Sequence, residues 1–95
     1  MRYPTWKKLE IRAVTSKTSR ELEELNILPI QLEDLLKRSF PCPKSKRKRE
    51  VYEQCVHWKN KLLKIVLEEM TSWTGKKYLR VRHVGLIGFK KKRFR

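Results

Sequence analysis

Between Val51 and Trp58 successive residues alternate between two faces. Val51, Glu53, Cys55 and His57 fall on one side, Tyr52, Gln54, Val56 and Trp58 on the other, the period of two that a β-strand imposes. Lys59-Asn60 follows as a tight turn, because Asn tolerates the left-handed backbone that two-residue hairpins require. The next run, Lys61 to Glu69, carries Leu62-Leu63-Lys64-Ile65-Val66-Leu67 and reads as a central strand. A looser connection from Met70 to Lys77, with Gly75 as its flexible point, leads to a third strand that starts Tyr78-Leu79-Arg80-Val81-Arg82-His83-Val84 and runs on to Phe89. Residues 49–89 are therefore expected to form a three-stranded antiparallel meander. Ahead of it, Leu9-Glu10-Ile11-Arg12-Ala13-Val14 predicts a first strand with Leu9, Ile11 and Ala13 inward. Residues 1–8 read as a lead-in.

Between these strands the apolar spacing becomes helical. Thr18 followed by Glu21 fits a capping box, which starts a helix near Ser19. Leu22 and Leu25 form its buried stripe, Glu23 and Glu24 its wet side, and Asn26 suits a left-handed stop. Pro29 suits the first position of a second helix. There Leu28, Leu32, Leu35 and Leu36 make the apolar stripe, while Glu33 and Asp34 lie early and Lys37 and Arg38 late, as the helix dipole favours. Phe40-Pro41-Cys42-Pro43 then forces an extended path. The expected fold is one α+β domain over residues 1–95, of order β-α-α-β-β-β, with both helices packed on one face of a small, mainly antiparallel sheet. A basic tail at 90–95 completes it.

Charge adds a partner. The formal net charge is +15, far beyond what solubility needs, and an anionic partner such as nucleic acid or an acidic protein follows. Residues 44–49 hold five cations and residues 70–95 nine more, with no acid in either stretch, whereas 18–39 holds five acids against three bases. In an antiparallel meander the first and third strands start at the same sheet end, so the two basic stretches converge there. On the third strand Tyr78, Arg80 and Arg82 share one face, with Leu79, Val81 and His83 on the other. The guanidinium forks of Arg80 and Arg82 suit backbone phosphates. The candidate nucleic-acid contacts are Lys46, Arg47, Lys48, Arg49, Lys76, Lys77, Tyr78, Arg80, Arg82, Lys90, Lys91, Lys92 and Arg93. His83 is the candidate proton carrier, since imidazole titrates near neutral pH.

Two cysteines, Cys42 and Cys55, are too few for a disulfide framework and are expected to be reduced. A zinc site built from them with His57 and His83 has no compact ligand spacing, so neither metal nor cofactor is expected. There is no Gly-rich phosphate loop and no nucleophile elbow. No secretory signal or span of about 20 apolar residues is evident, which predicts a soluble cytoplasmic protein with no membrane partner and no small-molecule substrate. Two Asn and two Gln against fifteen Lys hint at a thermophilic source.

The segments KLEIRAV, SRELEELNILPIQLEDLLKRS, VYEQCVHW, KLLKIVLEE and KYLRVRHVG, in this order and with this charge, resemble the RelE/ParE superfamily of small basic toxins. The resemblance covers most of residues 9–89 and rests on element order, size and charge. It implies a toxin–antitoxin protein: an endoribonuclease acting on messenger RNA, free or on the ribosome, or a gyrase poison, neutralised by an acidic antitoxin. In a metal-independent RNase, a base activates the ribose 2′-OH, cations stabilise the phosphate and an acid protonates the leaving oxygen. His83 would serve as acid or base, Arg80, Arg82 and Lys48 as phosphate stabilisers, and Tyr78 as a stacking platform. The competing readings are a non-catalytic RNA- or DNA-binding module and an interaction protein that docks an acidic partner.

Overall fold

The computed structural model describes residues 3–43 and 49–87. In chain order its elements are β1 (Thr5–Trp6), β2 (Leu9–Val14), α1 (Ser16–Leu25), α2 (Gln31–Lys37), β3 (Phe40–Pro41), β4 (Val51–Trp58), β5 (Lys61–Thr71) and β6 (Lys77–Ile87). The six strands form one sheet in the order β1-β2-β6-β5-β4-β3. β2 runs parallel to β6, and every other neighbouring pair is antiparallel. The expected β-α-α-β-β-β order is therefore wrong: the sheet is mixed, and two short edge strands enlarge it.

Both additions come from backbone features that carry no sequence signature. Lys7 and Lys8 have φ of 55° and 65°, a two-residue turn that folds Thr5–Trp6 back onto β2, although lysine is a poor mark for such a turn. β3 contains a proline, which cannot donate to a ladder and survives only at an edge. The β4–β5 turn is the one legible from residue type, with Lys59 and Asn60 at φ 49° and 64°, followed by an unbroken register from Trp58↔Lys61 to Val51↔Glu68.

α1 starts three residues before the expected capping box. Thr15 is the N-cap, its Oγ1 accepting from the Thr18 N–H at 3.2 Å, and Thr18 is fully buried inside the helix. Glu21 is thereby released from any capping role. Asn26 stops the helix with φ 59°, as expected. α2 begins at Gln31, after a turn in which the Pro29 carbonyl accepts from Leu32 N–H. Leu28 does not join its apolar stripe: it is 63% exposed, and Ile27 takes the buried place beside Leu22, Leu32, Leu35 and Leu36.

These helices cover one face of the sheet, which contributes Ile11, Val56, Leu63, Ile65, Leu67, Leu79, Val81 and Val84 to the core. Each such aliphatic side chain gains about 1.5–3 kcal/mol on burial. The opposite face carries a smaller cluster of Cys42, Cys55 and Leu62 against Ile87. Cys42 and Cys55 are joined in a disulfide with Cα atoms 5.1 Å apart, so the expectation of two reduced thiols is overturned. The backbone forces the pair together: Phe40 lies opposite Cys55, and Cys42 N–H donates to the Glu53 carbonyl at 3.0 Å. With both sulfurs committed, neither offers a thiolate ligand.

Candidate nucleic-acid interface

Two bulges decide which side chains reach the uncovered face. β2 slips register between Ile11 and Ala13, so Val14 rather than Ala13 joins the core and Ala13 pairs with Arg80. β6 slips between the pairs Val66↔His83 and Leu67↔Val81, leaving Arg82 as the extra residue. Without the bulge, His83 would follow Leu79 and Val81 into the core, as period-two counting expects. With it, Val84 takes the core position and His83 turns to the face of Arg80 and Arg82. The expected separation of His83 from the arginines is therefore corrected.

His83 is held there from two sides. Its Nδ1 lies 3.0 Å from Glu21 Oε2, while Glu21 Oε1 accepts from the Val84 N–H at 3.0 Å. β2 leaves β6 after Val81, and the α1 carboxylate takes over the strand edge that β2 abandons. Gly85 provides the second support, since a Cβ at that position would sit 3.0 Å from His83 Nε2. A Cβ there would press on the imidazole and make it shift by a few tenths of an ångström, and the His83 side chain is 38% exposed.

The arginines share one counter-ion. Glu68 Oε1 lies 2.8 Å from Arg80 Nη2 and 3.7 Å from Arg82 Nε. The comb is thus two cations around one carboxylate, a net charge of one at a partly exposed site. Lys64 is similarly 3.7 Å from Glu53, and Lys77 is 3.8 Å from Glu69, which also accepts from the Tyr52 hydroxyl.

At the β5–β6 hairpin the balance changes. Lys77 lies opposite Thr71, and Glu69 N–H donates to the Glu50 carbonyl, so the starts of β4 and β6 share one sheet end. Exposed Arg49 and Lys76 therefore approach the same end. Between the strands, Trp73 is 96% exposed. A pocket of ≈ 380 Å³ opens beside it, lined by Arg12, Ala13, Ser72, Trp73, Thr74, Lys76 and Tyr78. Lys76 has no carboxylate within ion-pair distance among the described residues.

Of the sequence-derived candidates, Lys46, Arg47, Lys48, Lys90, Lys91, Lys92 and Arg93 lie outside the described residues. Of the other six, Lys76, Lys77, Tyr78, Arg80 and Arg82 lie along the approach and first half of β6, where His83 joins them, and Arg49 lies just ahead of β4 at the same sheet end. Ten of the 25 Lys and Arg fall at positions 1–2, 44–48 and 88–95, while all ten acids are described. The described residues consequently carry fifteen cations against ten acids, and eight of the fifteen are in local ion pairs. Sequence reasoning missed Trp73, Glu21, Glu68 and Gly85. Trp73 carried a usable signal, an aromatic residue inside a polar turn; the others depend on register.

Among the described residues, no helix is long and apolar enough to cross a membrane. Comparison with protein families, with curated proteins and with solved structures finds no match to this chain.

Proposed function

We propose that this chain is a nucleic-acid-binding domain whose ligand is RNA, held through its phosphates by the β6 face and the sheet end where β6 begins. The observation that carries the reading is the bulge at Arg82, which gathers Arg80, Arg82 and His83 on one uncovered face just beyond Lys76 and Lys77. Guanidinium groups supply planar donors for phosphate oxygens. His83 adds proton chemistry: with Nδ1 engaged by Glu21, Nε2 remains as the ring nitrogen able to exchange a proton with a ribose hydroxyl. Cleavage of the bound RNA, as in a toxin-type RNase, is the stronger form of the proposal, and binding alone is the weaker.

The test is RNA binding by fluorescence anisotropy across a salt series, with cut ends mapped in parallel. Contact with about six phosphates gives a slope of about −4 to −5 in log affinity against log salt, and Arg80→Ala with Arg82→Ala flattens it by about 1.5. Salt-independent binding, or a double variant that binds like the parent, rejects the phosphate site. Cleavage that survives His83→Ala rejects the proton-transfer role alone.

A further inference from the structure

The β5–β6 tip does something that the phosphate face cannot. We propose that the pocket beside Trp73 is a subsite for one unpaired nucleotide, the base stacked on the indole and its phosphate drawn to Lys76 and Arg12. The inference rests on the nucleic-acid reading above and sharpens it to single-stranded RNA.

Exposure alone would make Trp73 an ordinary surface residue. Its setting is more specific, because the turn beneath it is locked. Gly75 N–H donates to the Ser72 carbonyl at 2.8 Å, Ser72 N–H to the Lys76 carbonyl at 2.8 Å, and Lys76 N–H to Ser72 Oγ at 3.2 Å. Ser72 Oγ and Thr74 Oγ1 lie 2.8 Å apart, and Gly75 adopts φ +88°, which closes the turn. The backbone under Trp73 is fixed while its ring, 96% exposed, touches almost nothing. A large aromatic face held in water on a braced turn is costly in apolar exposure and is compensated when a flat partner covers it.

The pocket supplies the rest of a nucleotide's chemistry. Its ≈ 380 Å³ lies within the roughly 300–1,000 Å³ typical of small-ligand sites. Tyr78 adds a second aromatic wall. Lys76 provides a cation without a carboxylate partner among the described residues. Arg12 projects from the β2 bulge, its guanidinium 4.8 Å from the Tyr3 ring centre and 3.8 Å from Glu10 Oε1. Ser72 and Thr74 offer hydroxyls. Stacking ring, adjacent cations and hydroxyls form the recognition set of single-strand binders, whereas duplex bases present no free face. A bilayer is a poorer match, since the residues flanking Trp73 are Ser72, Thr74, Gly75 and Lys76 and only one apolar side chain would insert.

The experiment compares the full-length protein with Trp73→Ala, Trp73→Phe and Lys76→Ala. Each is titrated with a labelled uridine-rich RNA strand and with an RNA duplex of equal length. Trp73→Ala is expected to weaken single-strand binding by about 5- to 100-fold, the range of one lost base stack, while leaving its salt slope unchanged. Duplex binding should stay as in the parent, and Trp73→Phe should retain most of the single-strand affinity. Lys76→Ala should flatten the single-strand slope by about 0.7. Thermal melting should barely change for Trp73→Ala, since the residue is 96% exposed. Equal loss for strand and duplex, or no loss for either, overturns the subsite while the phosphate reading stands. Failure of the parent protein to bind any RNA removes both. A blue shift of Trp73 emission on anionic vesicles, with none on RNA, makes the tip a membrane contact and rejects the proposal.

Discussion

The uncovered face of the sheet ends in two different ways. At the β4–β5 end, Leu62 lies opposite Ile87 and packs with the Cys42–Cys55 disulfide, a small apolar patch sealed by a covalent bond. At the β5–β6 end, the same strands present Glu68, Arg80, Arg82, Tyr78 and the Trp73 turn. One end resists unfolding and the other faces solvent with unfinished chemistry. The difference teaches that the fold separates strength from contact along one sheet: substitutions at the sealed end should move stability, and substitutions at the open end should move binding.

The sharpest break of this division is removal of the disulfide. The bond spans 13 positions, and closing a loop of about that size contributes about 3 kcal/mol through the unfolded state. Cys42→Ala with Cys55→Ala should therefore lower the melting temperature by roughly 10–20 °C for a domain of this size. Melts of the parent with and without reductant should reproduce the shift. Because the basic run at 44–49 lies inside the same loop, RNA affinity of the folded variant is the second readout. A loss as large as that of the Arg80/Arg82 variant would show that the sealed end belongs to the binding surface and would dissolve the comparison.

Glu21 bonds His83 and Val84 on β6 and tests whether His83 is positioned or merely nearby. Glu21→Ala removes the acceptor of the Val84 N–H at a part-buried strand edge, which costs about 1–3 kcal/mol. Glu21→Gln keeps an amide oxygen for that N–H and should recover most of the loss, measured by chemical denaturation. If His83 takes part in cleavage, Glu21→Gln should lower the cleavage rate while leaving RNA affinity intact. Equal stability for the two variants would show that the Val84 bond contributes nothing.

The legible part of this molecule was the part in which residue type and backbone agree. Val51 to Trp58 and Lys61 to Leu67 alternate or run apolar, Asn60 marks its turn, and Asn26 ends its helix, so the meander and the first helix stop could be read directly. The failures share one cause. A bulge changes face parity without changing composition, and the bulges at Arg12 and Arg82 moved Ala13 off the core and His83 onto the arginine face. Thr15 and Thr18 are both plausible caps, and only burial of Thr18 decides between them. The Lys7-Lys8 turn and the Cys42–Cys55 contact depend on pairings with distant residues, which local patterns do not encode. Of the binding surface, the cations were visible and their counter-ions were not, because Glu68 meets Arg80 only once β5 and β6 are in register.

That counter-ion gives the finest test of the open end. Glu68 holds both guanidinium groups, and the Arg80 Nε is buried without a hydrogen-bond partner among the described residues. A phosphate arriving here must displace a carboxylate already in place. Partly exposed pairs of this kind contribute about 0.2–1 kcal/mol each, so Glu68→Gln, which ends two of them, should cost at most about 2 kcal/mol of stability and leave the fold intact. The same change releases Arg80 and Arg82 from competition and should tighten RNA binding by about 2- to 10-fold. The salt slope should steepen by at most about 0.9, one further phosphate contact. An affinity that stays level or falls would mean that the arginines serve Glu68 and not a ligand. The phosphate-binding surface would then contract to Arg49, Lys76 and the Trp73 turn, and the β6 face would be a solvated ion-pair network.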